Sequence, residues 1–263
     1  MDLGLKDKRA FVAGASRGLG FAAASVLARE GCKVVINSRE EAKVKAAAEK
    51  IAKESGTQVF GLAGDVTELA TPEKLIAETA ALLGGLDILI TNSGGPPPGT
   101  FEAFGEEDWQ KAINMSFMSH LRLIRAALPH LKKSSAPSVL TVTSYAAKQP
   151  APNLILSNSI RIATMGLTKS LALELGPLKI RFNSILPGWT ETERVHELMS
   201  FHARNNHTTL EEEFAKQAVE IPLGRMGKPE EFANAAAFLV SPAASFITGV
   251  MLQVDGGVIK TTL

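Results

Sequence analysis

The chain has 263 residues, 45% of them apolar, and its 28 basic and 27 acidic side chains leave a formal net charge of +1. That length buries one large core or two small ones. The charge balance has neither the basic excess of a nucleic-acid binder nor an acidic partner tail. The single cysteine, Cys32, excludes an intrachain disulfide and, set before an apolar strand, reads as a buried thiol in a reducing, cytoplasmic setting. Residues 1–9 lack the apolar core of a signal peptide, and no apolar run reaches bilayer-spanning length, so no membrane association is expected. Ala233–Val240 is short and follows Pro-Glu-Glu, which marks a buried helix instead.

In chain order, Arg9–Ala13 reads as a short apolar strand running into glycines, and Phe21–Arg29 as an Ala-rich helix ending at Gly31. Lys33–Asn37 is a second strand, Glu40–Ser55 a charged helix stopped by Gly56, and Gln58–Leu62 a third strand closed by Gly64-Asp65. Pro72–Leu83 is a helix with Pro in its first turn, a favoured place for it. The continuous apolar run Leu86–Thr91 is a fourth strand, of the kind found in a sheet covered on both faces. After a Gly/Pro loop from Asn92 to Gly99, Glu106 to Leu131 reads as one long helical stretch and Val139–Thr143 as a fifth strand. The loop Tyr145–Pro152 leads into a helix over Asn153–Leu175, followed by a sixth strand at Ile180–Leu186. Glu193 to Glu220 is polar and helix-prone, and is expected to be a substrate lid. Pro229–Val240 is a further helix and Met251–Val254 a seventh strand. The rhythm has no compositional break, so residues 1–263 are expected to form a single α/β domain. Its doubly wound parallel seven-stranded sheet would bind ligands at the carboxyl ends of the strands.

Several motifs fall at those ends. Gly14-Ala15-Ser16-Arg17-Gly18-Leu19-Gly20 joins the first strand to the first helix, where glycines allow tight backbone and the helix N-terminus offers N–H groups to a pyrophosphate. Asp65-Val66, Asn92-Ser93-Gly94 and Pro187-Gly188-Trp189-Thr190-Glu191-Thr192 follow the third, fourth and sixth strands. The second strand ends Asn37-Ser38-Arg39 with no acid before Glu40, and Arg39 with Arg17 suits a ribose 2′-phosphate, which favours NADP over NAD. Together with Gly166–Leu175, Arg225–Glu231, Ile247-Thr248-Gly249 and Val254–Gly257, these motifs make the chain similar, from Lys6 to Gly257, to the short-chain dehydrogenase/reductase family. Within it the C-terminal motifs are especially like 3-oxoacyl-carrier-protein reductases.

The resemblance implies a Rossmann-like fold and a homo-oligomer, tetramer or dimer. It assigns the dinucleotide to Gly14, Ser16, Arg17, Gly18, Leu19, Gly20, Ser38, Arg39, Asp65, Val66, Asn92 and Gly94, with Pro187, Gly188, Thr190 and Thr192 at the nicotinamide carboxamide. Ala13 stands where the family usually has a Thr that braces the loop after the fourth strand, so that loop is expected to be slightly looser.

The family shares its chemistry among Ser, Tyr, Lys and Asn. Asn114 matches the Asn and Ser144 the Ser, but the helix register places Ser157 at the Tyr and Arg161 at the Lys. A serine hydroxyl is shorter and far less acidic than a phenol, and a guanidinium gives up no proton at ordinary pH. Arg161 is therefore expected to preserve cofactor binding better than a proton relay. The one tyrosine, Tyr145, directly follows Ser144, where it is either a substitute donor or part of the rim of a substrate pocket. Two readings follow. One is an NADP-dependent oxidoreductase interconverting a small-molecule carbonyl and alcohol, with Ser157, Tyr145 or water as donor. The other is a non-catalytic nicotinamide-nucleotide-binding protein, a sensor or assembly partner. His196, His202 and His207 are six and five residues apart, not a ligand spacing, so no metal is expected. No Gly-x-Ser-x-Gly elbow is present, and Arg122, Arg125, His130, Lys132 and Lys133 read as a solvated helix face.

Overall fold

The strands β1 (Arg9–Val12), β2 (Lys33–Ser38), β3 (Val59–Ala63), β4 (Ile88–Thr91), β5 (Ser138–Val142), β6 (Arg181–Pro187) and β7 (Met251–Val254) pair in the order β3-β2-β1-β4-β5-β6-β7. Every pairing is parallel. The computed structural model describes residues 1–262, Phe201 by its backbone alone, so residue 263 of the expected domain lies outside the described residues. β1, β2, β4 and β5 are buried nearly throughout, as a sheet covered on both faces requires.

One face of the sheet is covered by α1 (Gly18–Arg29), α2 (Glu41–Ser55) and the last helix of the chain. The other is covered by α3 (Thr71–Leu83), α4 (Glu106–Ile113) continuing through a π-helical turn into α5 (Ser119–Leu131), and α6 (Ile155–Leu175). Strand order reverses between β1 and β4, which opens a crevice at their carboxyl ends. Cys32 is fully buried, its thiol donating to the Leu5 carbonyl at 3.2 Å, and burial pushes its pKa up to about 12. Among the described residues no helix is long and apolar enough to cross a membrane, and no three His, Cys, Asp or Glu side chains cluster as metal ligands.

Two expected helical stretches are interrupted. Glu106 to Leu131 is not one regular helix, because residues Asn114–Met118 form a π turn in which the Ser119 N–H reaches back to the Asn114 carbonyl. The polar stretch after β6 is two helices, α7 (Glu193–Asn206) and α8 (Leu210–Val219), broken where His207 takes a left-handed φ of 55°. Thr209 restarts the chain with a capping box. Its hydroxyl accepts from the Glu212 N–H at 3.1 Å, and its own N–H donates to the Glu212 carboxylate at 2.8 Å. The final helix, α9 (Pro229–Val240), has the expected bounds, and α1 begins at Gly18 because the glycine loop supplies its first turn.

Candidate functional site

The loop from β1 to α1 is built on glycine. Gly14 and Gly18 sit at φ of 59° and 61°, and a Cβ on Gly20 would collide with the Gly14 carbonyl. The Asn92 side-chain amide donates to that carbonyl at 3.1 Å, and the Ala13 N–H donates to the Ile90 carbonyl at 3.0 Å. Asn92 thus braces the loop from the β4 side although Ala13 carries no hydroxyl. Ser16 and Leu19 are half-buried on the same turn, while Arg17 is exposed and pairs with Glu197 of α7 at 2.9 Å. The α1 N-terminus leaves its first N–H groups facing this crevice, the arrangement that receives a phosphate.

β2 ends at Ser38, and the exposed Arg39 follows it. The Glu40 carboxyl is held below its usual pKa by Lys43 first, with the charges of Arg39 and Arg17 adding to it. After β3, one Asp65 carboxylate oxygen accepts from the Thr67 N–H at 2.9 Å and hydroxyl at 2.8 Å, and Val66 is buried beneath. The Thr67 carbonyl in turn accepts from the Asn114 amide at 3.0 Å and from Arg122 Nη1 at 2.8 Å. Arg122 Nη1 also donates to Asn114 Oδ1 at 2.6 Å. Arg122 therefore does not belong to the solvated basic face, whereas Arg125, Lys132 and Lys133 are exposed as expected. The one-residue insertion of the π turn moves Arg122 round the helix until it meets Asn114.

Of the catalytic candidates, Asn114 stands apart at the π turn with Thr67 and Arg122, while Ser144, Ser157 and Arg161 lie on the loop after β5 and on α6. Ser144 ends the β5 loop and its oxygen accepts from the Ala146 N–H at 3.2 Å. Ser157 and Arg161 lie one turn apart on α6, both buried. Arg161 Nε donates to Ser157 Oγ at 3.1 Å, Nη1 to the Thr143 carbonyl at 2.9 Å and Nη2 to the Gly94 carbonyl at 3.5 Å. The guanidinium so ties together the loops after β4 and β5, and burial lowers its pKa to about 10. His120 on α5 is also buried here. Burial first, then the charge of Arg161, lowers its pKa to about 3, so its imidazole is neutral.

Tyr145 opens the short turn after β5. It packs among Trp189, Met199, Ile221, Met226 and Val258, its ring 6.4 Å from that of Trp189. Burial and the Glu220 charge raise its phenol pKa, against a hydrogen bond with Trp189. The segment after β6 is fixed from several sides. A Cβ on Gly188 would run into Asp255, and the Gly188 N–H donates to the Val254 carbonyl at 2.9 Å. Thr190 is buried with its hydroxyl 3.3 Å from the Gly188 carbonyl, and Thr192 caps α7 through the Val195 N–H at 3.4 Å. Its methyl lies 3.7 Å from where a Gly18 side chain would project, so the start of α7 roofs the glycine loop.

Residues missed in the sequence are His120, Arg122 and Glu197. No local pattern marks them, since each acquires its role through a partner at least eight residues away.

A family profile described as enoyl-(acyl carrier protein) reductase matches residues 14–259. Dehydrogenase/reductase SDR family member 4 of Homo sapiens is 35% identical over 254 residues, which cover 96% of this chain and 88% of that protein. The structure is similar to the L-sorbose reductase of Gluconobacter frateurii solved with NADPH and L-sorbose. The TM-score is 0.96 at 30% identity, covering 99% of this chain and 100% of the other. It is also similar to an NADPH-bound short-chain oxidoreductase of Pseudomonas aeruginosa PAO1 described as containing an atypical catalytic center. There the TM-score is 0.90 at 29% identity, covering 98% of this chain and 99% of the other. The chain belongs to the short-chain dehydrogenase/reductase family.

Proposed function

We propose that this family member is an NADP-dependent oxidoreductase that interconverts a small-molecule carbonyl and an alcohol through a non-standard proton-transfer site. The observation that supports the reading is a glycine loop braced by Asn92, whose near neighbour Gly94 accepts from Arg161 beside Ser157. The residues fit the dinucleotide. Glycines at positive φ and a free helix N-terminus suit the pyrophosphate, and Arg17, Ser38 and Arg39 suit a 2′-phosphate. Asp65 and Val66 flank the adenine end; Asn92, Gly94, Pro187, Gly188, Thr190 and Thr192 line the nicotinamide half.

Bound NADPH supplies the hydride to the carbonyl carbon. Ser144 already accepts from Ala146 N–H, so its own hydrogen is available to the carbonyl oxygen. Ser157 accepts from Arg161 Nε, which likewise turns its hydrogen toward the pocket. The developing alkoxide takes its proton from Ser157 or from a water, with Asn114 supporting that water and Arg161 holding the ribose. Tyr145 belongs to the rim, and Tyr145→Phe leaves turnover unchanged. α7 and α8 form the lid. The assembly is a cytoplasmic homo-oligomer.

The test is NADPH binding by fluorescence beside NADPH oxidation over a panel of ketones, ketoacyl thioesters and keto sugars. Tight binding with turnover supports the enzyme. Tight binding with none on any substrate favours a nucleotide-binding protein without turnover, a reading that the engagement of Arg161 with two backbone carbonyls also favours.

A further inference from the structure

The buried His120 holds two hydroxyls at once. Its Nδ1 lies 2.6 Å from Thr91 Oγ1 and its Nε2 3.4 Å from Ser93 Oγ. Thr91 ends β4 and is fully buried, so its hydroxyl hydrogen needs an acceptor, and Nδ1 is one. A neutral imidazole that accepts at Nδ1 carries its hydrogen on Nε2 and presents it to the Ser93 oxygen. The Ser93 hydrogen then points away from His120 and toward the Gly94 carbonyl at 3.3 Å, which leaves a lone pair of the Ser93 oxygen to accept from a ligand hydroxyl. Its sequence neighbours fix the place. Asn92 is bonded to the Gly14 carbonyl, and the Gly94 carbonyl takes Arg161 Nη2, so Ser93 stands between the glycine loop and the Arg161 cluster. Arg161 has Nε, Nη1 and Nη2 each engaged with the protein, which leaves less of it for a ribose.

We propose that Ser93 hydrogen-bonds a ribose hydroxyl on the nicotinamide half of the dinucleotide, and that His120 is the positioning residue that aims it. The inference rests on the dinucleotide-binding reading above and extends it to a side chain that composition and spacing do not mark. The thread Thr91–His120–Ser93 links a buried strand end to the open face of the site, and it does so from α5 just beyond the π turn.

NADPH titration followed by fluorescence tests it without requiring turnover. Ser93→Ala weakens NADPH about fivefold, the scale of one neutral hydrogen bond. His120→Leu weakens it by a similar factor in the wild-type background and by none in the Ser93→Ala background. His120→Gln, whose amide nitrogen reaches the Nε2 position, recovers most of the affinity. Equal binding by Ser93→Ala and wild type overturns the proposal. So does a loss on His120→Leu that is the same in both backgrounds, because the ring is then only structural. Should His120→Leu fail to fold, Ser93→Ala and His120→Gln still decide. Wild-type protein that does not bind NADPH overturns the dinucleotide reading itself, an outcome distinct from normal binding by both wild type and Ser93→Ala.

Discussion

Arg161 donates to Ser157, Thr143 and Gly94 from a buried position, so it supports two loops as well as any ligand. A lysine there has one nitrogen and cannot span both carbonyls. The variant Ser157→Tyr with Arg161→Lys is therefore expected to move two quantities in opposite directions. Reductase rate rises, because a phenol beside an ammonium is a better acid than a serine hydroxyl. Stability falls by about 1–3 kcal/mol, because a buried carbonyl loses its donor. Steady-state NADPH oxidation and thermal melting measure both, and an unchanged rate in a folded variant would mean that the pocket has diverged beyond this pair. His120 gives a pH prediction. Its folded pKa of about 3 lies below the ordinary value of 6.5, so protons bind the unfolded chain preferentially between those limits. Its share of stability is complete above pH 6.5 and declines as the pH falls toward 3, at about 1.4 kcal/mol per pH unit where the difference is one proton. Arg161 is the charged group facing the ring. Melting temperatures between pH 7 and 5 should fall less in His120→Gln than in wild type; parallel slopes would remove His120 as the source.

The proposed lid depends on α8, which starts with its own cap. Its N-terminus is held by the reciprocal bonds of Thr209 and Glu212. Thr209→Ala leaves the Glu212 N–H without its hydroxyl acceptor and costs the helix about 1 kcal/mol, which appears as faster amide exchange over Leu210–Val219 with the sheet unchanged. Equal exchange in the two proteins would mean that packing of Leu210 and Phe214 against the cluster at Met199 carries the helix by itself. The same elements show what the chain discloses before folding. β1, β2, β4 and the glycine loop are legible because their signal is local: buried parallel strands are apolar throughout, and the glycines stand where φ is positive or a Cβ would collide. Thr209-Leu210-Glu211-Glu212 is an equally local signal and marks the break inside the lid. The π turn at Asn114–Met118 is not legible, since one inserted residue leaves a helical pattern on both sides while rotating everything after it. Arg122 and His120 lie after that insertion, so helical spacing points them to the wrong surroundings. Ser157 and Arg161 were placed by register alone; their bonds to Thr143 and Gly94 depend on loops brought together only by the sheet.

At the scale of the molecule, the accessible surface exceeds the average for a chain of this mass. The accessible surface is 12772 Å², against about 11,000 Å² expected for a monomer of 27.9 kDa. Part of the excess is apolar and ordered along α6, where Ile162 and Leu173 are exposed on one face, eleven residues and close to three turns apart. Between them the exposed positions include Ala163, Gly166 and Ser170, which are small enough for another helix to approach closely. A second exposed apolar site, Phe246, stands just before β7 and opposite in the chain order of the sheet from β3. The homo-oligomer proposed above is then expected to be a tetramer, with the α6 face and the Phe246 site as two separate two-fold contacts. Light scattering on a sizing column should then give four times 27.9 kDa for the wild type. Ile162→Glu with Leu173→Glu places charges on the solvent-exposed face of α6, whereas Ser157 and Arg161 are on its buried face, so the assembly should fall to dimers while NADPH affinity is kept. A wild-type mass of one chain would exclude the oligomer, and a tetramer unaffected by the α6 charges would move the interface to another surface.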